Sequence, residues 1–492
     1  MSRIAPKILP LASAASVLAL AGCATPVADP RISQQEAQVA AQNNEQIVAE
    51  FGGALGGSVG PYVEQVGDRV AAFSQTPNAA QAYTFTTLNS PVENAFAIPG
   101  GRVYITRELM TLMEDEAELA FVLGHEVGHI AADHSQARQA KAQNNSLLGV
   151  LGAVVGSVVG GGVGNILAQG TQQYAQLNTL SYSRDQEYES DTLGIRYMAS
   201  AGYDPLAAGG MLTSLGEASA LESRIQGNQS RSTPEWARTH PLSENRTARA
   251  VELARQTPQA GNGLRNRDQF LARVDGVIVD DDPAQGIVDG QTFTHPDLRL
   301  KFSIPQGFRM QNGTRAVSIS GSSGQAQFSL GQFNGNLDQY VANVIRGVVG
   351  QQAQVQIPQP RSTTINGLPA AYTTTRVNTQ RGAVDLSVMA YRFSADRAYH
   401  FAMITQAGQG IGPFAQMVES FRPISAQEAS AIRPRVIQVA TVRSGDTIQS
   451  LAGRMAYNNY QVERFMTLNS LNGNSRLTPG QKVKLVVYGQ RR

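Results

Sequence analysis

Three of the six histidines in the chain crowd together as His125, His129 and His134. The first two frame His125-Glu126-Val127-Gly128-His129, an HExxH motif. On a helix of about 3.6 residues per turn, positions four apart stack on one face. Two imidazoles placed that way reach a single zinc ion at about 2.0–2.1 Å. Glu126 is next round the helix, so its carboxylate meets a metal-bound water rather than the metal. Two buried histidines with ordinary partners are the alternative, because so short a motif also arises by chance. A catalytic zinc takes three protein ligands and keeps one position open, so a third ligand must come from elsewhere. The segment Ser183 to Gly194 is the best source. There Glu187 and Asp191 lie four apart on one face of a second helix, whereas Glu189 points largely away. A second carboxylate one turn beyond a ligand can accept the ring N–H of a bound histidine and fix its tautomer. Taken alone, the same segment would be a solvated acidic face.

Local signals supply the helices that this chemistry needs. Asp115 with Glu118 three residues on marks an N-terminal cap. Leu119, Val122, Leu123, Val127 and Ile130 then recur at helical spacing.

HEVGHIAADHS followed by SRDQEYESDTLGIRYMASAGYDP resembles the HtpX and CAAX-prenyl-protease family of zinc metallopeptidases. The resemblance covers about residues 50–255. It implies one Zn2+ per chain held by His125, His129 and Glu187, with Glu126 as the base and Asp191 supporting the ligands. Asn94, Ala95, Phe96 and Ala97 open a stretch that resembles the family's edge strand beside the cleft, where an extended substrate is aligned. Arg238 to Arg246 matches the family's HP segment. His240 is therefore a candidate fourth ligand that displaces the water and regulates the site. A histidine in a surface turn is the alternative, since Pro241 favours turn or extended backbone. Unlike the membrane-embedded members, the chain lacks several clear spanning helices. It resembles the soluble periplasmic lipoprotein branch, which is associated with quality control of envelope proteins.

Residues 1–22 read as an export signal: Arg3 and Lys7 precede an apolar run from Ile8 to Ala21. The run ends in Leu20-Ala21-Gly22-Cys23, which resembles the bacterial lipobox, with the chain's single cysteine as the lipidated residue. An ordinary signal peptide with an incidental cysteine is the alternative. Several acyl chains hold a protein on a membrane far more firmly than one. With Ala24 rather than Asp after the cysteine, the resemblance implies the periplasmic face of the outer membrane. Residues 23–50 read as a tether running into a helix start. Leu147 to Leu167 has seven glycines and no charge. It is long enough to span a bilayer, but it lies between two halves of the metal site, which must share a compartment. A hairpin of small-residue helices or a mobile loop near the cleft is the expectation, with shallow membrane insertion as the alternative.

Apolar residues make up 42%, enough for packed cores. The net charge, 40 − 38 = +2, argues against a general grip on nucleic acid. One cysteine rules out a disulfide framework and a cysteine-ligated zinc finger. The fold class expected is α+β and multidomain. It comprises a mainly helical peptidase domain at 51–265, an antiparallel α+β domain of unknown role at 266–425, and a small βααβ domain at 437–488. The last resembles the LysM module through Ser444-Gly445-Asp446-Thr447 and Pro479-Gly480-Gln481, which implies peptidoglycan as a partner. The function expected is an outer-membrane-anchored zinc metalloendopeptidase acting on unfolded or misassembled envelope proteins. A peptidoglycan-bound lipoprotein acting as chaperone or scaffold is the alternative. A peptidoglycan hydrolase is a third class that the LysM-like tail brings in.

Overall fold

The computed structural model describes residues 32–134, 182–225, 236, 239–241, 244–350, 355–379 and 382–491. The expectations for residues 1–22, for Cys23 and for residues 147–167 lie outside the described residues. Among the described residues no helix is long and apolar enough to cross a membrane.

The fold is α+β with several sheets. Its first helix, Gln34–Glu50, starts at a reciprocal cap between Ser33 and Glu36. A small sheet follows, built of β1 (Thr84–Leu88), β2 (Ala95–Ile98) and β3 (Arg102–Thr106) in the order β1-β3-β2. β1 runs parallel to β3, and β2 is antiparallel to it with Ala95 opposite Ile105. The β2–β3 turn uses Gly100 and Gly101 at φ of 94° and 84°. A side chain at Gly100 would also strike the backbone of Glu36. β2 is the edge strand, and it packs against the helix Glu116–Ala131 that carries the HExxH motif.

That motif helix lies in the middle of the first core. Asp115 caps it by accepting the N–H of Glu118, and Glu118 accepts the N–H of Glu114. Every residue from 116 to 131 except Ile130 is buried. Around it pack Val59–Ala71, Arg184–Ser200 and Ala207–Ile225. Burying a Leu or Phe side chain is worth about 1.5–3 kcal/mol, and Leu119, Phe121, Val122 and Leu123 are all essentially without exposure.

The core does not stop at residue 265. Phe270, Leu271 and Val274 of the helix Arg267–Val274 belong to it, as do Val277 and Val279. So do Leu451, Phe465, Val483 and Leu485 of the tail. The tail has the order strand Arg435–Thr441, helix Ile448–Ala452, helix Gln461–Leu468, strand Lys482–Tyr488. Its first strand pairs with its last and also with the short strand Ile278–Val279, which ties the module to the preceding chain.

Between them stands a separate body. A seven-stranded antiparallel sheet and a four-stranded antiparallel sheet enclose a core of Phe302, Phe328, Phe401 and Phe421. The helix Leu337–Val349 covers the other face through Val341, Ile345 and Val348. The strands of this body include Leu300–Ser303, Gly324–Gln332 and Arg397–Gln406.

Candidate metal centre

Two helices bring the site together. The motif helix meets Arg184–Ser200, whose start is capped by Ser183 and Gln186. Their seam is made of small residues. A Cβ on Gly194 would stand 2.8 Å from the backbone nitrogen of His125, and one on Gly128 would stand 3.3 Å from the Cα of Ser190. This close approach puts Glu187 and Asp191 against the two motif histidines.

One ligand atom from each of His125, His129, Glu187 and His240 lies within 4.8 Å of the others, and all four residues are buried. His125 Nε2 and His129 Nε2 are 3.0 Å apart. Glu187 Oε1 is 3.4 Å from His129 Nε2, and its Oε2 is 3.7 Å from His125 Nε2. Two nitrogens sharing one tetrahedral zinc at about 2.0–2.1 Å stand about 3.3 Å apart, so the histidine pair fits an ion. His240 Nε2 and both oxygens of Glu126 are buried without a hydrogen-bond partner, which is costly unless a ligand serves them. Imidazole and carboxylate donors in this number suit zinc.

The second nitrogen of each motif histidine is also held. His125 Nδ1 is 3.0 Å from Asp191 Oδ1. His129 Nδ1 is 2.9 Å from His134 Nδ1, and the ring of Tyr182 stacks on His129 at 3.6 Å. Arg246 joins the two carboxylates: it donates to both oxygens of Asp191, at 2.8 and 2.7 Å, and Nη1 is 2.7 Å from Glu187 Oε2.

These neighbours set the charge states. Burial, reinforced by Glu187, pushes Glu126 up to about 8, against the pull of His125 and Arg246. Burial would raise Asp191 too, but the contacts from His125 and Arg246 outweigh it and hold it at about 2. Burial also works against charge on His125, yet Asp191, Glu187 and Glu126 raise it above the usual histidine value. His240 is driven well below that value by burial, with His125, His129 and Arg246 adding to the effect.

His240 does not sit in a surface turn. It is fully buried, its ring stacks on Trp236 at 4.1 Å, and its Nε2 is 3.3 Å from Glu126 Oε1. Asn94 is buried and precedes β2, so Asn94, Ala95, Phe96 and Ala97 lie along the edge strand beside the motif helix. Of the other side chains nearby, Arg246 is engaged by carboxylates, Tyr182 lies flat on His129, and Arg184 is exposed.

Sequence reasoning missed three features. It set Glu189 aside as pointing away, and the structure places its Oε2 3.3 Å from His134 Nε2. It gave His134 no place at the metal site, whereas the ring faces His129. It also overlooked the glycine seam, although Gly124, Gly128 and Gly194 repeat at helical spacing within the two helices.

Residues 59–254 match the family model Peptidase family M48, and residues 440–486 match the LysM domain. The chain is 29% identical over 198 residues to the Beta-barrel assembly-enhancing protease of Yersinia pestis, covering 40% of this chain and 39% of that protein. It is 28% identical over 198 residues to the protein of the same name in Escherichia coli (strain K12), with the same shares of 40% and 39%. It is 33% identical over 130 residues to the Mitochondrial metalloendopeptidase OMA1 of Arabidopsis thaliana, covering 26% of this chain and 25% of that one. The match thus spans about two fifths of the length of the first two relatives and a quarter of the third. With a buried His-His-Glu-His cluster inside the first matched region, residues 59–254 belong to peptidase family M48 and residues 440–486 form a LysM domain.

Proposed function

We propose that the chain is a zinc metalloendopeptidase that cuts unfolded or misassembled envelope proteins. One observation carries this reading: His125, His129, Glu187 and His240 converge within 4.8 Å beside the unpartnered carboxylate of Glu126. Bound zinc supplies a polarised scissile carbonyl and an acidified water. His125, His129 and Glu187 hold the metal, and Asp191 orients His125 by its contact to Nδ1. Glu126 takes the proton of the attacking water and passes it to the leaving amine. The edge strand from Asn94 to Ala97 pairs with the backbone of an extended peptide. Backbone pairing reads few side chains, which suits unfolded chains as substrates. The similar proteins named as assembly-enhancing proteases support an envelope substrate.

His240 completes the resting cluster and excludes the water until substrate or a partner displaces it. The LysM domain holds the enzyme on peptidoglycan. Lipid chains on Cys23 fix it at the periplasmic face of the outer membrane, a reading supported by the lipobox-like Leu20-Ala21-Gly22-Cys23.

The test is casein cleavage by the zinc-loaded chain and by Glu126→Gln. Loss of a general base costs about 10²–10⁴-fold in rate, with zinc still bound. Equal cleavage by the two proteins would refute the assignment of Glu126. Bound zinc without any cleavage of unfolded protein by the unsubstituted chain would favour a scaffold.

A further inference from the structure

The two motif histidines are braced unequally. His125 rests directly on a buried carboxylate, with Nδ1 3.0 Å from Asp191 Oδ1. In His129 the Nδ1 nitrogen instead faces His134 Nδ1 at 2.9 Å. His134 in turn reaches Glu189 Oε2 through Nε2 at 3.3 Å.

This contact needs a break in the helix. Residues five apart on a continuous helix lie about 140° apart around the axis, so His134 could not face His129. Asp133 provides the break at φ of 53°, a left-handed conformation that aspartate tolerates better than most residues. The redirected segment is then tied to the second helix. Gln186 Nε2 donates to the backbone oxygen of His134 at 3.2 Å, and Ser190 Oγ lies 3.4 Å from its Nδ1. The ring is 3% exposed at the residue level, while the Glu189 side chain is half exposed.

Proton placement along this chain follows from the ligand role. A neutral histidine that offers Nε2 to a metal carries its hydrogen on Nδ1. His129 Nδ1–H then donates to the lone pair of His134 Nδ1. His134 must hold its own hydrogen on Nε2, where the carboxylate of Glu189 accepts it. Each ring nitrogen in the series then has a single role, donor, acceptor or ligand.

We propose that His134, anchored by Glu189, is a positioning residue that locks His129 in the tautomer and orientation able to bind zinc. The inference rests on the metallopeptidase reading and adds a second brace to the one that Asp191 gives His125.

The test compares the full chain with His134→Phe, His134→Gln and Glu189→Ala. Zinc affinity is read by competition with a chelator, and ligand geometry by the visible absorption of the cobalt(II)-loaded proteins. The zinc-free unfolding midpoint reports any general folding defect. Losing an outer partner of a metal-binding histidine weakens metal binding about 10–100-fold. His134→Phe should show that loss and a shifted cobalt spectrum. His134→Gln, which retains a hydrogen-bonding group, should recover most of the affinity. Glu189→Ala, at a half-exposed position, should fold normally and show a smaller loss of the same sign. Wild-type affinity and spectrum in His134→Phe would overturn the proposal, as would equal losses in the Phe and Gln variants. A wild-type chain that binds no zinc would instead overturn the metallopeptidase reading on which it stands.

Discussion

The motif helix has a buried charged cluster near each end, and the two are built differently. Ahead of its N-terminus, Lys484 from the last strand of the tail is completely buried. Its ammonium donates to the backbone oxygens of Thr111, Leu112 and Met113 and lies 3.1 Å from Glu114 Oε1. These carbonyls close the helix Arg107–Leu112, so the lysine serves as a cap supplied from another part of the chain. Beside the second half of the motif helix, the carboxylate of Glu126 and the Nε2 of His240 are just as deeply buried and make no hydrogen bond. In the first cluster Glu114 Oε1 also lacks a hydrogen bond, but the Lys484 ammonium faces it as an ion pair. In the second, unbonded atoms of Glu187 and His240 converge with His125 and His129 within 4.8 Å. Burial of charge marks both, and the convergence of several ligand-type atoms on one point separates the functional cluster from the structural one.

The largest expected effect falls on the structural cluster. Lys484→Ala leaves three carbonyls without their donor and Glu114 with Arg267 alone. Removing one partner of a buried ion pair costs about 3–5 kcal/mol, and the remaining arginine places this case at the low end. Urea unfolding should show that loss, with zinc stoichiometry unchanged in the folded protein. Unchanged stability would mean that the tail is merely docked.

Gly194→Ala tests the seam that joins the halves of the functional cluster. The new methyl would press on the backbone of His125 at 2.8 Å. Overpacking of this kind costs about 1–3 kcal/mol, and here it should weaken zinc binding as well. A destabilised variant with wild-type zinc affinity would show that helix spacing does not set the ligand geometry.

The smallest effect expected is a gain. His240→Ala removes the fourth donor and opens space beside Glu126. Peptidase activity on casein should rise several-fold, on the order of 1 kcal/mol of relieved competition. Unchanged activity would count against a blocking role.

Much of this cluster was legible because helical periodicity converts spacing into a face. His125 with His129, and Glu187 with Asp191, each needed only the number four. The capping of the motif helix by Asp115 was legible for the same local reason. What was not legible depends on how the chain bends or on what crosses between elements. Glu189 was assigned to the far face by helix geometry, and it reaches the cluster because His134 is turned back at Asp133. Arg246 spans 55 residues to find Asp191, a pairing that no local pattern announces. Lys484 lies in a strand that reads as an ordinary alternation, Lys482-Val483-Lys484-Leu485, in which both lysines would be placed outward. The docking of the tail on the first core covers that face at Lys484 and buries it against the Thr111–Met113 carbonyls.

The most direct measurement is elemental analysis of the purified chain together with its Glu187→Ala variant. The account predicts one zinc per wild-type chain and loss of that zinc on dialysis from the variant, with the fold retained. A wild-type chain without zinc, or a Glu187→Ala chain that holds it as tightly, would contradict the claim that His125, His129 and Glu187 form one metal site.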